Sequence, residues 1–185
     1  MQGEAHALKT CIIGAGCAGL ATARALLAAG LDIDVFETQS DIGGNWAFGV
    51  YDATYLISSR NTSSFTEFPM PEEYPDFPSR VQMREYLQAY AKHFDLRRHI
   101  SIGQKVTSVW YTTEPHSWQV TTSSGVTQNY DSVVVANGHV WDEVIPACAG
   151  SFRANKCIRA ITATCRIFRD DVFWLSAQVI PGAIW

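Results

Sequence analysis

No stretch of these 185 residues is apolar for long enough to span a bilayer, and residues 1–10 carry neither a basic leader nor an apolar run of signal-peptide length. A membrane-spanning or secreted protein is therefore not expected. Cysteine is sparse and unpatterned: Cys11, Cys17, Cys148, Cys157 and Cys165 contain no CxxC spacing. That argues against a disulfide framework or a zinc site and for thiols kept reduced in the cytoplasm. Charge is low as well, with 17% charged residues and a net charge of -4. No lysine or arginine cluster offers a face to nucleic acid or an acidic membrane, so small molecules are the expected partners. Repeats and low-complexity tracts are absent too. What remains is a chain of ordinary globular composition, 47% hydrophobic, long enough for one domain with a sizeable core.

Within it, the segment Gly14, Ala15, Gly16, Cys17, Ala18, Gly19 reads GxGxxG, and it stands where an apolar strand over residues 8–13 hands over to a helix. In a dinucleotide fold the first glycine permits the tight turn and the second lets the backbone approach a pyrophosphate. The third lets helix pack on strand. The helix N-terminus then turns its N–H groups and positive dipole end toward the phosphates. Residues 17–29 are rich in alanine and leucine, lack proline and stop at Gly30, which reads as a helix. A second strand over residues 31–36 runs into Glu37, 18 residues beyond Gly19. A carboxylate there can accept both hydroxyls of an unphosphorylated ribose, as in FAD or NAD. Cys11 and Cys17 are expected to fill small core positions.

Asp41-Ile42-Gly43-Gly44-Asn45-Trp46 opens a long region through Ser79 that is poor in pattern but rich in aromatics, which is expected to fold over something. Ser79 and Gln82 form a capping-box pair. Met83, Leu87, Tyr90, Ala91 and Phe94 follow at helical spacing, predicting an amphipathic helix over 81–94. Short strand patterns at 105–112, 118–123 and 126–131 predict a small antiparallel meander. The apolar run 132–136 reads as a parallel strand buried on both faces and ending at Asn137-Gly138-His139. The fold class is α/β, with a parallel sheet and that meander.

Taken together, the glycine loop with Glu37, Gly43-Gly44-Asn45-Trp46, Asn61-Thr62-Ser63 ahead of Phe68-Pro69-Met70-Pro71, Tyr74-Pro75-Asp76-Phe77-Pro78, and Val135-Ala136-Asn137-Gly138-His139 ahead of Pro146 resemble the flavin-containing monooxygenases. More distantly they are similar to the Baeyer-Villiger monooxygenases. The resemblance implies a Rossmann-like FAD-binding domain. Its glycine loop, Gly14 to Gly19, and Glu37 would hold the ADP half, while Asn45, Trp46, Asn61 and Thr62 would line the flavin end and Gly44 would also bind the cofactor. It also implies that Asn61 lies beside the reactive edge of the isoalloxazine and serves a C4a-hydroperoxide, and that NADPH, molecular oxygen and a substrate with a soft nitrogen or sulfur centre complete the reaction. His139 and Cys148 match no catalytic motif and receive no role.

The resemblance runs through about Phe152 and then breaks off, so residues 1–152 are read as the N-terminal part of an FAD domain, which is left incomplete. Residues 153–185 carry neither the family's FxGxxxH signature nor a second glycine turn for NADP. Codons built from the third base of one residue and the first two of the next restore both. Arg153/Ala154 permits Gly, Cys157/Ile158 permits only His or Tyr, and the pairs from Leu175/Ser176 to Pro181/Gly182 permit V-G-P-G-N-S-G. The expectation is an out-of-frame tail after Phe152 and a product without NADPH turnover.

Overall fold

The computed structural model describes residues 8–139. The chain runs β1 (Lys9–Ile13), α1 (Cys17–Ala28), β2 (Asp32–Glu37), a π-helical turn (Asn45–Gly49), α2 (Arg60–Ser63) and α3 (Arg80–His93). A 3-10 turn (Leu96–His99), β3 (Ile100–Ile102), β4 (Val106–Thr113), β5 (His116–Thr122), β6 (Thr127–Tyr130) and β7 (Ser132–Val135) follow. Strands order β3-β2-β1-β7 in one sheet, with every pairing parallel, and β4-β5-β6 in an antiparallel meander. This is the expected α/β class, and the expected tail at 153–185 lies outside the described residues.

Period-two alternation divides the core between the two faces of the parallel sheet. Ile12, Ile33 and Val35 pack with the buried faces of α1 and α3, including Leu20, Ala23, Met83, Tyr86, Leu87 and Tyr90. Cys11 and Phe36 point the other way and meet Val120 and Tyr130 of the meander. The capping box at the start of α3 is formed in both directions, Ser79 and Gln82 each serving the other's backbone. It fixes where that helix begins.

Three expectations need correction. β7 is not buried on both faces: Val135 is 67% exposed, and among the described residues β7 pairs only with β1, so it forms the sheet's edge. A fourth parallel strand, β3, pairs with β2 and was not expected. The region before Ser79 is not patternless either, since it contains the π-helical turn and the short α2. Its aromatics divide: Trp46, Phe65, Phe68 and Tyr74 pack on the main core, while Phe48, Tyr51, Tyr55 and Phe77 remain exposed.

Burial has a consequence for alkaline stability. It pushes the Cys11 thiol up to about 12, with the Asp34 carboxylate adding to the effect. Burial also raises the phenols of Tyr130 and Tyr90, each helped by a hydrogen bond donated to a carboxylate, Asp34 and Glu67 respectively. These groups keep their protons in the fold and lose them more readily in the unfolded chain, so unfolding releases protons once pH exceeds the ordinary thiol value of 9.0. Stability is therefore full near neutrality and falls steadily above that value. Urea unfolding followed up to about pH 11 should show a falling midpoint; a midpoint independent of pH would contradict the assignment.

Candidate functional site

β1 ends in a turn whose geometry only glycine fits at two places. Gly14 has φ of +103°, and a Cβ there would sit 2.5 Å from the Ala136 carbonyl oxygen. A Cβ on Gly19 would lie 1.9 Å from the Gly14 carbonyl oxygen, so α1 rests directly on the turn that precedes it. The N-terminus of α1 has Gly16 as its cap, without a side-chain hydrogen bond and without an acidic residue in the first turn. By contrast, α2 and α3 are capped by Ser59 and Ser79. No side chain of α1 itself therefore caps the positive end of its dipole.

Glu37, at the end of β2, is 6% exposed. Its Oε2 accepts from the Ala15 N–H at 2.7 Å and its Oε1 from the Gln39 N–H at 2.8 Å. The carboxylate is therefore locked beside the glycine turn. Each oxygen retains a further acceptor direction, which is what a ribose diol needs.

The second glycine pair crosses the first. Gly43 donates its N–H to the Ala15 carbonyl at 3.0 Å, and a Cβ on Gly44, whose φ is +55°, would come 3.0 Å from Gly16 Cα. Two backbones without side chains make a bare cradle at the start of α1. From there the π-helical turn carries Asn45 and Trp46 back over the loop. The Trp46 side chain faces the Cys17 thiol, which burial raises above its ordinary value. Asn45 donates from Nδ2 to the His139 carbonyl at 3.3 Å, while its Oδ1 is buried without a hydrogen-bond partner. A bare cradle, a locked carboxylate and an orphaned acceptor fit a dinucleotide laid across this end of the sheet.

Gly14, Ala15, Gly16, Cys17, Ala18, Gly19, Glu37, Gly44, Asn45 and Trp46 are thus joined in one region. Ala15 is buried and Ala18 exposed, while Cys17 is half-buried and packs against the main core, as expected. Asn61 and Thr62 stand apart on α2. That helix is held by Ser59 and by the Arg60 guanidinium, which donates to the Pro71 carbonyl at 2.9 Å and to that of Glu72. Both residues are exposed, and among the described residues no hydrogen bond ties Asn61 to the glycine loop. Sequence reasoning missed the Ala15 N–H as a partner of Glu37, and it missed Arg80, which grips the π-helical turn from α3. The capping box marked where α3 starts, but nothing in the sequence marked what its first residue would hold.

Among the described residues there is no helix long and apolar enough to cross a membrane and no group of three or more His, Cys, Asp or Glu side chains placed to hold a metal ion. Residues 7–157 match the model of the family described as flavin-binding monooxygenase-like. Flavin-containing monooxygenase 1 of Homo sapiens is 34% identical over 155 residues, covering 76% of this chain and 29% of that protein. The chain thus spans less than a third of that relative's length. Among solved structures, S-allyl-L-cysteine S-oxygenase from Allium sativum is similar at a TM-score of 0.65 and 27% identity, covering 71% of this chain and 36% of that one. An oxidized steroid monooxygenase bound to NADP is similar at 0.67 and 28%, covering 71% and 26%. With the glycine crossing, the locked carboxylate and this match in hand, the chain belongs to the flavin-binding monooxygenase-like family.

Proposed function

We propose that this chain is the FAD-holding first part of a monooxygenase that consumes NADPH and molecular oxygen to oxygenate a soft nitrogen or sulfur centre of a small molecule. The observation that carries this is the crossing of Gly16 by Gly44 beside the locked Glu37 carboxylate. Glu37 would accept the adenosine ribose, and the N-terminus of α1 would face the pyrophosphate. Gly44, Asn45 and Trp46 would receive the flavin end, with Asn61 and Thr62 of α2 along its edge. Asn61, whose side-chain amide both donates and accepts, is the residue proposed to touch the reacting atoms. When bound, the flavin supplies oxygen activation; the protein supplies orientation and exclusion of water.

The similarity to a steroid monooxygenase supports a second reading, Baeyer-Villiger oxygen insertion beside a ketone. A non-catalytic flavin-binding remnant is a third. Residues 1–152 are proposed as the first part of the FAD domain, and the 185 residues alone are proposed to hold flavin without oxidising NADPH. Purification followed by dialysis against FAD tests both statements. The expected result is a folded yellow protein with about one flavin per chain and no FAD-dependent NADPH consumption. Folded protein that retains no flavin would overturn the site, and measurable NADPH turnover would overturn the inactivity.

A further inference from the structure

We infer that Arg80 is a positioning residue for the flavin end of the site, acting through the π-helical turn Asn45–Gly49 and braced from outside by Asp52. The inference rests on the reading of Asn45 and Trp46 as flavin-end residues.

Arg80 is the first residue of α3, and the reciprocal Ser79 and Gln82 cap holds it in place. Its own N–H donates to the Thr54 carbonyl at 2.8 Å. From that anchor the guanidinium reaches across to the other loop. Nε donates to the Trp46 carbonyl at 3.2 Å, Nη2 to the Ala47 carbonyl at 2.8 Å, and Nη1 to the Asp52 carboxylate in an ion pair. The Arg80 side chain is 18% exposed and that of Asp52 69%. The pair therefore seals the turn at its solvent side, with the charge of the guanidinium balanced there while Nε and Nη2 each donate to backbone.

π-helical turns are rare, occur mostly as single turns and are frequent at functional sites. Here a planar fork in fixed geometry supplies donors to two of the turn's carbonyls, which a lysine ammonium cannot match in direction. The turn folds Gly49 onto the Asn45 side chain: a Cβ on Gly49 would lie 2.3 Å from Asn45 Oδ1, the atom left without a partner. Held at Trp46 and Ala47 by Arg80 and closed over Gly49, the turn fixes where the Asn45 amide and the Trp46 indole stand. The glycine loop and Glu37 receive no hydrogen bond from Arg80, so the ADP half of the site should be indifferent to it.

The test uses the 185-residue chain and its Arg80→Gln, Arg80→Lys and Asp52→Asn variants. Hydrogen exchange at residues 45–49 is measured without nucleotide, and ADP and FAD affinities are measured by titration. For Arg80→Gln we expect exchange faster by about tenfold or more, ADP affinity within about twofold of wild type, FAD affinity about tenfold weaker, and a changed visible spectrum of the bound flavin. Arg80→Lys should resemble Arg80→Gln, and Asp52→Asn should give a weaker change in the same direction. Because Asp52 is exposed, its variant carries the comparison should an Arg80 variant not fold. Unchanged exchange overturns the grip on the turn whatever flavin does. Equal weakening of ADP and FAD overturns the positioning role and leaves a general structural one. A wild-type chain that binds ADP but not FAD overturns the flavin reading itself, and the inference with it.

Discussion

Gly19→Ala is expected to abolish measurable FAD binding, with a loss of at least about 100-fold in affinity, and to destabilise the fold by about 3 kcal/mol. The added methyl would stand 1.9 Å from the Gly14 carbonyl oxygen and 2.9 Å from its carbon, both backbone atoms. No rotamer change relieves such a clash. The helix must lift from the turn, and its N-terminus then no longer faces the cradle. Gly16→Ala is the informative control. Gly16 has φ of -80° and ψ of -170°, ordinary extended backbone, and its Cβ would meet Gly44 Cα at an unstrained 3.6 Å. That variant should unfold at a near-wild-type urea concentration yet bind FAD poorly, because the methyl occupies the space a pyrophosphate must enter. If Gly19→Ala kept both its midpoint and its FAD affinity, the packing argument would fail. If Gly16→Ala kept its affinity, the phosphate would have to lie elsewhere.

Glu37→Gln should cost both stability and nucleotide affinity, although the change is nearly isosteric. The carboxylate offers an oxygen to each of two backbone donors, Ala15 and Gln39. An amide offers one oxygen and sets an N–H₂ group against the other donor, leaving a buried N–H unsatisfied. Hydrogen bonds to charged groups contribute about 1.5–3 kcal/mol each, so a destabilisation of about 2 kcal/mol is expected. For ligands, the loss should follow the ribose that Glu37 is proposed to hold. FAD and ADP should weaken by about tenfold or more in the folded variant, whereas FMN, which has no adenosine, should not change. Equal effects on FMN and ADP would remove the ribose from Glu37.

The parts of this protein that were legible in its sequence are the local ones. β1, α1 and β2 followed from apolar runs punctuated by Gly14 and Gly30, and the cap of α3 from Ser79 and Gln82. Each of these signals acts within a few residues. β3 was hidden because it has three residues and, among the described residues, pairs only with β2, leaving no alternation to detect. The valines of β7 read as a doubly buried strand, yet coverage of a face is decided by distant chain, and Val135 lies exposed on a strand that pairs, among the described residues, with β1 alone. In the site, Glu37 was visible by its distance from the glycine loop, but its bond to the Ala15 N–H is a contact between backbone and side chain that no periodicity records. The reach of Arg80 to Trp46 and Ala47 was equally silent, since a charged residue in a first helical turn ordinarily faces solvent. Aromatic richness before Ser79 said that the loop packs. It did not say which rings would turn inward.

The contact between Gly16 and Gly44 closes the intervening chain into a circuit: out along α1, back along β2 and onto its own starting point. A closed circuit restricts how such a chain can drift over generations. Near the crossing, an inserted residue or a side chain at Gly44 would force the two backbones apart, so length and composition there are tied together across the whole loop. At the far end, a Cβ on Gly30 would meet nothing within 4 Å. Insertions should therefore be accepted at the α1–β2 connection and refused at the crossing, and descendants of this chain should differ in length at the former while agreeing residue for residue at the latter.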